Sequence, residues 1–358
     1  MYQFLVRKMN EKKQRVLLYS ALPEKVQGGI ATWTNTYLQE CEEHNISCDL
    51  VNCVAEGARA DNPEAKLSIK DEFRRTVRIF KDLRNATRSD YDVAHINTSC
   101  GPMGIIRDCM AVLYLRKRRI KKIVVHFHCD IPFWVKNKVS KLCLKSMCKN
   151  SDILLVLCRN SKAYLERNYH RSSVIVPNFV SEENIISSRE TNNKCDTIIY
   201  VGGIQPEKGC YELFTAAKKL TNKKFIMVGQ LDDTVDISNI SENVHFVGSK
   251  PHHEVLELLD DADVFLFPSH SEGFSLSLAE AMSRGLPVIT TDVGANVDMH
   301  ENVGGKTVSI GNASEIKKAI EQIEEKKIRS KMSEWNIAKV KNNYTTSKVL
   351  ELFYSIYK

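Results

Sequence analysis

No stretch of the 358 residues reaches 18 consecutive apolar positions, so the sequence offers no candidate for a membrane-crossing helix. Nor do any two of the 11 cysteines stand in C-x-x-C spacing. Cys48 and Cys53, like Cys143 and Cys148, are separated by four residues, and no cluster of His or Cys completes either pair. An odd number of cysteines without that spacing argues against zinc fingers, dithiol redox centres and disulfide scaffolds. It fits reduced, mostly buried thiols in a cytosolic protein. The G-x-G-x-x-G fingerprint is also missing, so a nicotinamide dinucleotide is not expected. Met1 to Gln14 is too charged for a signal peptide. With 43% apolar and 27% charged residues, disordered and collagenous chains are excluded as well.

What is present begins with an uneven charge. The formal net charge is +7, but residues 1–180 carry 31 basic against 18 acidic side chains, and residues 181–358 carry 20 against 26. The halves therefore stand at +13 and −6. Such asymmetry suggests that one half faces an anionic partner.

Short β-branched apolar runs alternate with helical patterns along the whole chain. Arg15–Tyr19, Val93–Ile96, Lys122–His126, Ile153–Leu157 and Ser173–Val176 read as buried parallel strands. Thr197–Val201, Phe225–Val228, Val244–Val247, Val264–Phe267 and Val288–Thr290 repeat the pattern after the polar stretch Ser181–Cys195. Amphipathic segments such as Gly209–Leu220 and Pro251–Asp260 lie between them. Alternating βα units predict an α/β chain with two doubly wound parallel sheets, divided into domains 1–180 and 181–345.

Each half opens with a strand, a glycine-bearing loop and a helix. The first loop carries Gly28 and Gly29, the second Gly202, Gly203 and Gly209. Glycines let backbone N–H groups approach a ligand, and a helix N-terminus favours anionic oxygens. Structural turns need glycine too.

The most specific segment is Pro268–Thr290, PSHSEGFSLSLAEAMSRGLPVIT. A strand ends at Pro268, a loop holds Glu272, and a helix starts near Ser275. The loop therefore lies at the carboxyl end of a parallel strand, where open α/β sheets bind ligands. Glu280 lies about 7.5 Å along the axis beyond Ser275, at about 1.5 Å per residue. A diphosphate at the N–H groups of Phe274 to Leu276 would meet the positive helix end. Glu280 could accept from a ribose diol, and Glu272 from sugar hydroxyls. A nucleotide diphosphate sugar suits all three contacts. Two D-x-D strings, Asp90-Tyr-Asp92 and Asp261-Ala-Asp263, precede their strands, at the sheet edge away from this loop. His126 and His128 share a strand face, but only Asp130 nearby has fitting ligand spacing. No metal site and no cofactor are expected.

Pro268–Thr290 resembles the E-x₇-E motif of family-4 retaining glycosyltransferases, of the bacterial polysaccharide-biosynthesis type. Further motifs extend the resemblance along nearly the whole chain. They are the Gly28-Gly29 loop, His128 in VVHFHCD, VPNF at Val176–Phe179, VGG-x₄-KG at Val201–Gly209, SEGF-x₅-EAM and G-x-P-V-I at Gly285–Ile289. The family fold is GT-B, two Rossmann-like doubly wound parallel-sheet domains facing an interdomain cleft, with the acceptor bound by the first. The resemblance implies catalytic roles for His128, Lys208 and Glu272. Donor contacts would come from Gly28, Gly29, Gly203, Lys208, Glu272, Gly273, Phe274, Ser275, Leu276 and Glu280. Lys208 would neutralise the departing diphosphate. The family usually has Arg where Gly203 stands and Gly where Ser275 stands. Metal-independent transfer with retention at the anomeric carbon is the implied reaction, and the helix over 346–358 would pack back on the first domain. A GT-B nucleotide-sugar epimerase and a catalytically inactive polysaccharide-assembly protein are the alternatives.

The basic half has a candidate partner of its own. Arg116–Arg119 with Lys121 and Lys122 places six cations in seven positions. Lys136, Lys138, Lys141, Lys145 and Lys149 interleave with Val135, Val139, Leu142 and Met147, which predicts a basic amphipathic helix. Such a helix could lie on an anionic membrane surface or simply present a solvated lysine face. No nucleic-acid motif accompanies it. The sequence therefore predicts a cytoplasmic enzyme, peripheral on the inner face of the cell membrane. Its donor would be a nucleotide sugar and its acceptor a saccharide or lipid-linked saccharide.

Overall fold

A computed structural model describes residues 13–24, 29–43, 46–54, 68–118 and 120–358. Gly28 and Arg119 lie outside the described residues. The chain forms two compact units. The first runs to Val156 and includes Lys162–Val174 and Tyr357–Lys358; the second comprises Leu157–Ser161 and Ile175–Ile356.

In the first unit, strands β1 (Gln14–Ser20), β2 (Ile46–Asn52), β3 (Tyr91–Thr98), β4 (Ile120–Phe127), β5 (Ile153–Val156) and β6 (Val174–Ile175) form one sheet in the order β2-β1-β3-β4-β5-β6. Central strands are apolar on both faces. Val16, Leu17 and Leu18 on β1 and Val124 and Val125 on β4 are fully buried, as expected of strands covered by helices on both sides. The chain steps outward from β1 to β2, then recrosses to β3. With right-handed crossovers, the Gly29–Glu43 helix covers one face and the Ile69–Ala86 and Gly104–Arg116 helices the other. The direction reverses between β1 and β3, where such sheets leave a crevice at their carboxyl edge.

The second unit repeats the plan. β7 (Thr197–Val201), β8 (Lys224–Val228), β9 (Val244–Gly248), β10 (Val264–Phe267), β11 (Val288–Thr291) and β12 (Gly305–Val308) are ordered β12-β11-β10-β7-β8-β9, all pairs parallel. Reversal falls between β7 and β10. One core, from Ile198 and Phe225 through Phe265 and Leu278 to Val340, fills the unit.

Two strands were not anticipated, β2 and β12, and each is an outer strand of its sheet. The basic helix predicted over 135–149 begins only at Lys138 and runs to Asn150, capped by Asn137, whose side chain accepts from Ser140 N; a separate short helix, Ile131–Trp134, precedes it. Its apolar set divides. Val135 and Met147 are buried, whereas Val139 and Leu142 are exposed at 54% and 66%, beside exposed Lys138, Lys141, Lys145 and Lys149. Among the described residues no helix is long and apolar enough to cross a membrane.

Candidate active site

The reversal in the second unit gathers the residues singled out from the sequence. β7 runs into Gly202, Gly203 and the turn Pro206–Lys208; β10 runs into the loop from Pro268 to Phe274. Val264 pairs with Ile198 in parallel, so both loops leave the same edge. Their approach demands glycine. Gly209 has φ +78°, and a Cβ there would stand 2.1 Å from Pro268 O. The segment after β11 braces the loop from behind: Ala295 N donates to Gly273 O at 2.9 Å, and Thr291 Oγ1 donates to Ser269 O.

Within this frame Lys208 Nζ donates to Glu272 Oε1 at 2.6 Å, and Ser269 Oγ donates to the same oxygen at 2.8 Å. Two donors fix the carboxylate through one oxygen and leave Oε2 available for a ligand hydroxyl. Ser275 is the N-cap of the Leu276–Ser283 helix, its Oγ accepting from Leu278 N at 3.2 Å. Leu276 and Ser277 N–H groups, which have no intrahelical partner, then open toward the loop with the positive helix end. Ser275 thus supplies a cap where the family's glycine would not. Phe274 is buried, its ring 5.3 Å from that of Tyr344, so only its backbone is available to a ligand. Gly273 contributes its carbonyl to Ala295. At Gly203, Tyr200 Oη donates to the carbonyl at 2.7 Å, and a Cβ would meet only Gln205 at ordinary contact distance, 3.6 Å.

Two partners were missed by sequence reasoning. Glu280 Oε1 is 3.0 Å from His252 Nε2, and His270 Nε2 is 2.8 Å from Glu212 Oε1. Of the two D-x-D strings, Asp261-Ala-Asp263 precedes its strand as expected, whereas Asp92 already lies inside β3. Asp90 and Asp261 are exposed, and the second acid of each string is bonded to backbone. Asp92 Oδ2 accepts from Arg15 N at 3.0 Å, and Asp263 Oδ2 accepts from Asp196 N and Thr197 N, both at 2.9 Å, so each ties the start of one strand to another.

In the first unit, His128 follows β4, with its N–H donating to Thr98 O at 2.8 Å. Its ring lies 4.0 Å from that of His126 and 5.2 Å from that of Trp33, between centroids. Burial pushes the His128 imidazole down to about 3, so it is neutral at physiological pH and can act as a hydrogen-bonding group but not as a standing cation. His95 is likewise pushed down to about 3, by burial and then by His128. Tyr357 Oη joins this cluster, bonding Tyr37 Oη at 2.8 Å and His95 Nδ1. Gly29 is the first residue of the Gly29–Glu43 helix, and a Cβ there would meet nothing within 4 Å. Among the described residues no three His, Cys, Asp or Glu are grouped to hold a metal ion.

At the carboxyl edge of the first sheet lies a buried polar network that went unforeseen. Tyr19 Oη donates to Asp108 Oδ1 at 2.9 Å, Arg107 Nε donates to Tyr19 Oη at 3.2 Å, and Arg107 Nη1 reaches Glu72 at 3.4 Å. Its only trace in the sequence is the Arg107-Asp108 pair inside the otherwise apolar run GIIRDCMAVLYL.

Residues 27–184 match the family model described as Glycosyltransferase Family 4, and residues 181–339 the model described as Glycosyl transferases group 1. The chain belongs to the glycosyltransferases. It is 26% identical over 250 residues to 2-deoxystreptamine N-acetyl-D-glucosaminyltransferase of Niallia circulans, which covers 60% of this chain and 62% of the relative. It is 29% identical over 171 residues to the capsular polysaccharide biosynthesis glycosyltransferase CapM of Staphylococcus aureus, 44% of each chain. It is 27% identical over 157 residues to N,N'-diacetylbacillosaminyl-diphospho-undecaprenol alpha-1,3-N-acetylgalactosaminyltransferase of Campylobacter jejuni, 42% of this chain and 41% of the relative. The match thus spans less than two thirds of each relative's length. The fold is that of sucrose-phosphate synthase from Thermosynechococcus elongatus, TM-score 0.78 at 16% identity, over 96% of this chain and 98% of that one.

Proposed function

We propose that the protein transfers a sugar from a nucleotide diphosphate sugar to a saccharide acceptor, with retention and without a metal ion, in cell-surface polysaccharide synthesis. One observation carries the reading. Lys208, Glu272 and the N-terminus of the Leu276–Ser283 helix converge at the chain reversal of the second sheet. A cation and free N–H groups there suit a diphosphate that gains charge as it leaves, and a carboxylate held by one oxygen suits sugar hydroxyls. Glu280 is the proposed ribose contact. His128, neutral by burial, serves as an uncharged partner for a sugar oxygen.

For the acceptor we favour a lipid-linked saccharide. The exposed Val139 and Leu142 beside four exposed lysines of the Lys138–Asn150 helix support a peripheral contact with an anionic bilayer on its cytoplasmic face. The undecaprenol-linked substrate in the Campylobacter relative's name agrees with that choice. The test is a transfer assay in which a panel of nucleotide sugars is offered with short-chain lipid-linked saccharides, and products are read by mass spectrometry and anomeric NMR. Isomerisation of the donor without acceptor would instead identify an epimerase. Absence of both reactions and of nucleotide binding would identify an inactive assembly protein.

A further inference from the structure

We propose that His252 is a positioning residue of the donor site, holding the Glu280 carboxylate by Oε1 so that Oε2 is presented to the ribose diol of the nucleotide. This rests on reading the second unit as a nucleotide-sugar site, and it assigns a role to a residue outside the E-x₇-E segment.

The geometry is specific. His252 is the first residue of the His252–Asp260 helix, which follows β9 and therefore starts on the carboxyl side of the sheet. Its Nε2 lies 3.0 Å from Glu280 Oε1 in the Leu276–Ser283 helix. The same two segments are joined again at their other ends, where Arg284 Nε donates to Asp260 Oδ1 at 2.7 Å. Arg284 Nη1 also donates to Asn184 O at 2.9 Å. Two ties prevent the helices from sliding, so the imidazole meets the carboxylate in one register. Glu280 has 19% of its side-chain surface exposed and His252 has 54%. A glutamate in this setting, left alone, would sample several rotamers, and a ligand would have to select one of them. The His252 bond makes that selection before the ligand arrives.

The pair also predicts a direction with pH. Groups facing His252 are Glu280 and, from the turn Glu182–Asn184, Glu183; on its own segment stand Lys250, His253 and Glu254, with Lys250 paired to Glu254 at 3.0 Å. The hydrogen bond to Glu280 raises the His252 pKa from its ordinary value. A ribose seated on Oε2 shields the pair from water and strengthens the attraction further, so binding takes up a proton. Donor affinity therefore weakens as pH rises through the His252 titration. The loss is partial, because neutral imidazole with Nε2–H still donates.

The experiment is calorimetry on the full chain with UDP-glucose, GDP-mannose, ADP-glucose and dTDP-glucose between pH 5.5 and 8.5. For the nucleotide sugar that binds, the Kd should rise by roughly 3- to 10-fold from pH 6 to pH 8. His252→Ala should weaken binding by a similar factor at pH 6 and abolish the slope. His252→Gln, whose amide can donate, should restore affinity while leaving the profile flat. On a Glu280→Gln background His252→Ala should add little to the loss of donor affinity. Wild-type affinity and slope in His252→Ala, with an unchanged melting temperature, overturn the inference while leaving the donor site intact. If no nucleotide sugar binds the wild type, the donor-site reading falls and takes this one with it.

Discussion

Lys208 and Glu272 neutralise one another in this structure, with Nζ 2.6 Å from Oε1. They come from loops after different strands, 64 residues apart, and meet because β7 and β10 are neighbours. A lysine poised to balance a diphosphate is thereby kept in place by the carboxylate that would hold the sugar. Binding a dianion beside this pair adds negative charge to one already satisfied cation, so Lys208 would be shared rather than surrendered.

That sharing defines the first prediction. Lys208→Ala should lower kcat by roughly 10²- to 10³-fold, the range for removing one group that stabilises developing charge. Glu272→Ala should be at least as damaging to transfer. Both should fold: in Lys208→Ala the carboxylate, 11% exposed, keeps its bond from Ser269, and in Glu272→Ala the lysine, 33% exposed, reaches water. Steady-state kinetics with thermal melting separates the two effects. Wild-type turnover in Glu272→Ala would sink the assignment of this loop to the donor sugar.

The glycine at 203 yields a gain-of-function test. Nothing in the local geometry requires glycine there, since an added Cβ would be 3.6 Å from Gln205 atoms and φ is not left-handed. Gly203→Arg should therefore fold, and its guanidinium should raise affinity for a nucleoside diphosphate by roughly 10-fold, equivalent to about 1.4 kcal/mol. The Kd from calorimetry would show it. No change would mean that the loop directs position 203 away from the diphosphate.

Gly294 makes the opposite case. Its φ is +55°, and a Cβ would stand 2.3 Å from Glu272 O and 2.6 Å from Gly273 O. Backbone cannot yield that much, so Gly294→Ala must displace the loop that carries Glu272 or unfold the segment after β11. A strained residue of this kind costs about 1–3 kcal/mol, or roughly 2–12 °C in Tm for a unit this size. Donor binding should fall more than stability does, because the displaced backbone is that of Glu272 itself. Gly248→Ala, at φ +71° but with nothing within 4 Å, is the control for strain without collision.

How far the sequence foretold this arrangement depends on which residues carried the signal. The inner strands announced themselves as apolar runs because both of their faces are buried. β2 did not, for ISCDLVN has half-buried Ser47 and Cys48 and exposed Asp49 at the edge of the sheet. β12, the four residues GKTV, is equally an edge. Lys208 and Glu272 were legible because each sits just beyond a strong strand, in a loop whose glycines leave a mark. His252 and Arg107 were not, since their meaning lies in Glu280, 28 residues on, and in Tyr19, 88 residues back. Such pairings are set by the order of strands in the sheet, which no local pattern encodes.

Buried histidines make the last prediction one of acid sensitivity. His95 and His128 are held down to about 3 in the first unit, and His300 to about 4 in the second, burial being the largest cause for each. His300 Nδ1 accepts from Asn302 N at 3.1 Å, so Nε2–H is left to donate to Thr290 Oγ1 at 2.9 Å, and the ring is needed neutral. Folded-state values below the ordinary one mean that the unfolded chain takes up protons first. Stability from these residues is therefore complete above about pH 6.5 and is lost as pH falls, down to about 4 for His300 and about 3 for His95 and His128, at about 1.4 kcal/mol per unit for each histidine. Thermal melts at pH 7.5 and pH 5 should show a drop of several degrees in each unit's transition. His300→Gln, which keeps a donor for Thr290, should lower stability at pH 7.5 but shrink the acid-induced drop in the second unit alone. An equal drop in wild type and variant would show that His300 is protonated in the folded chain.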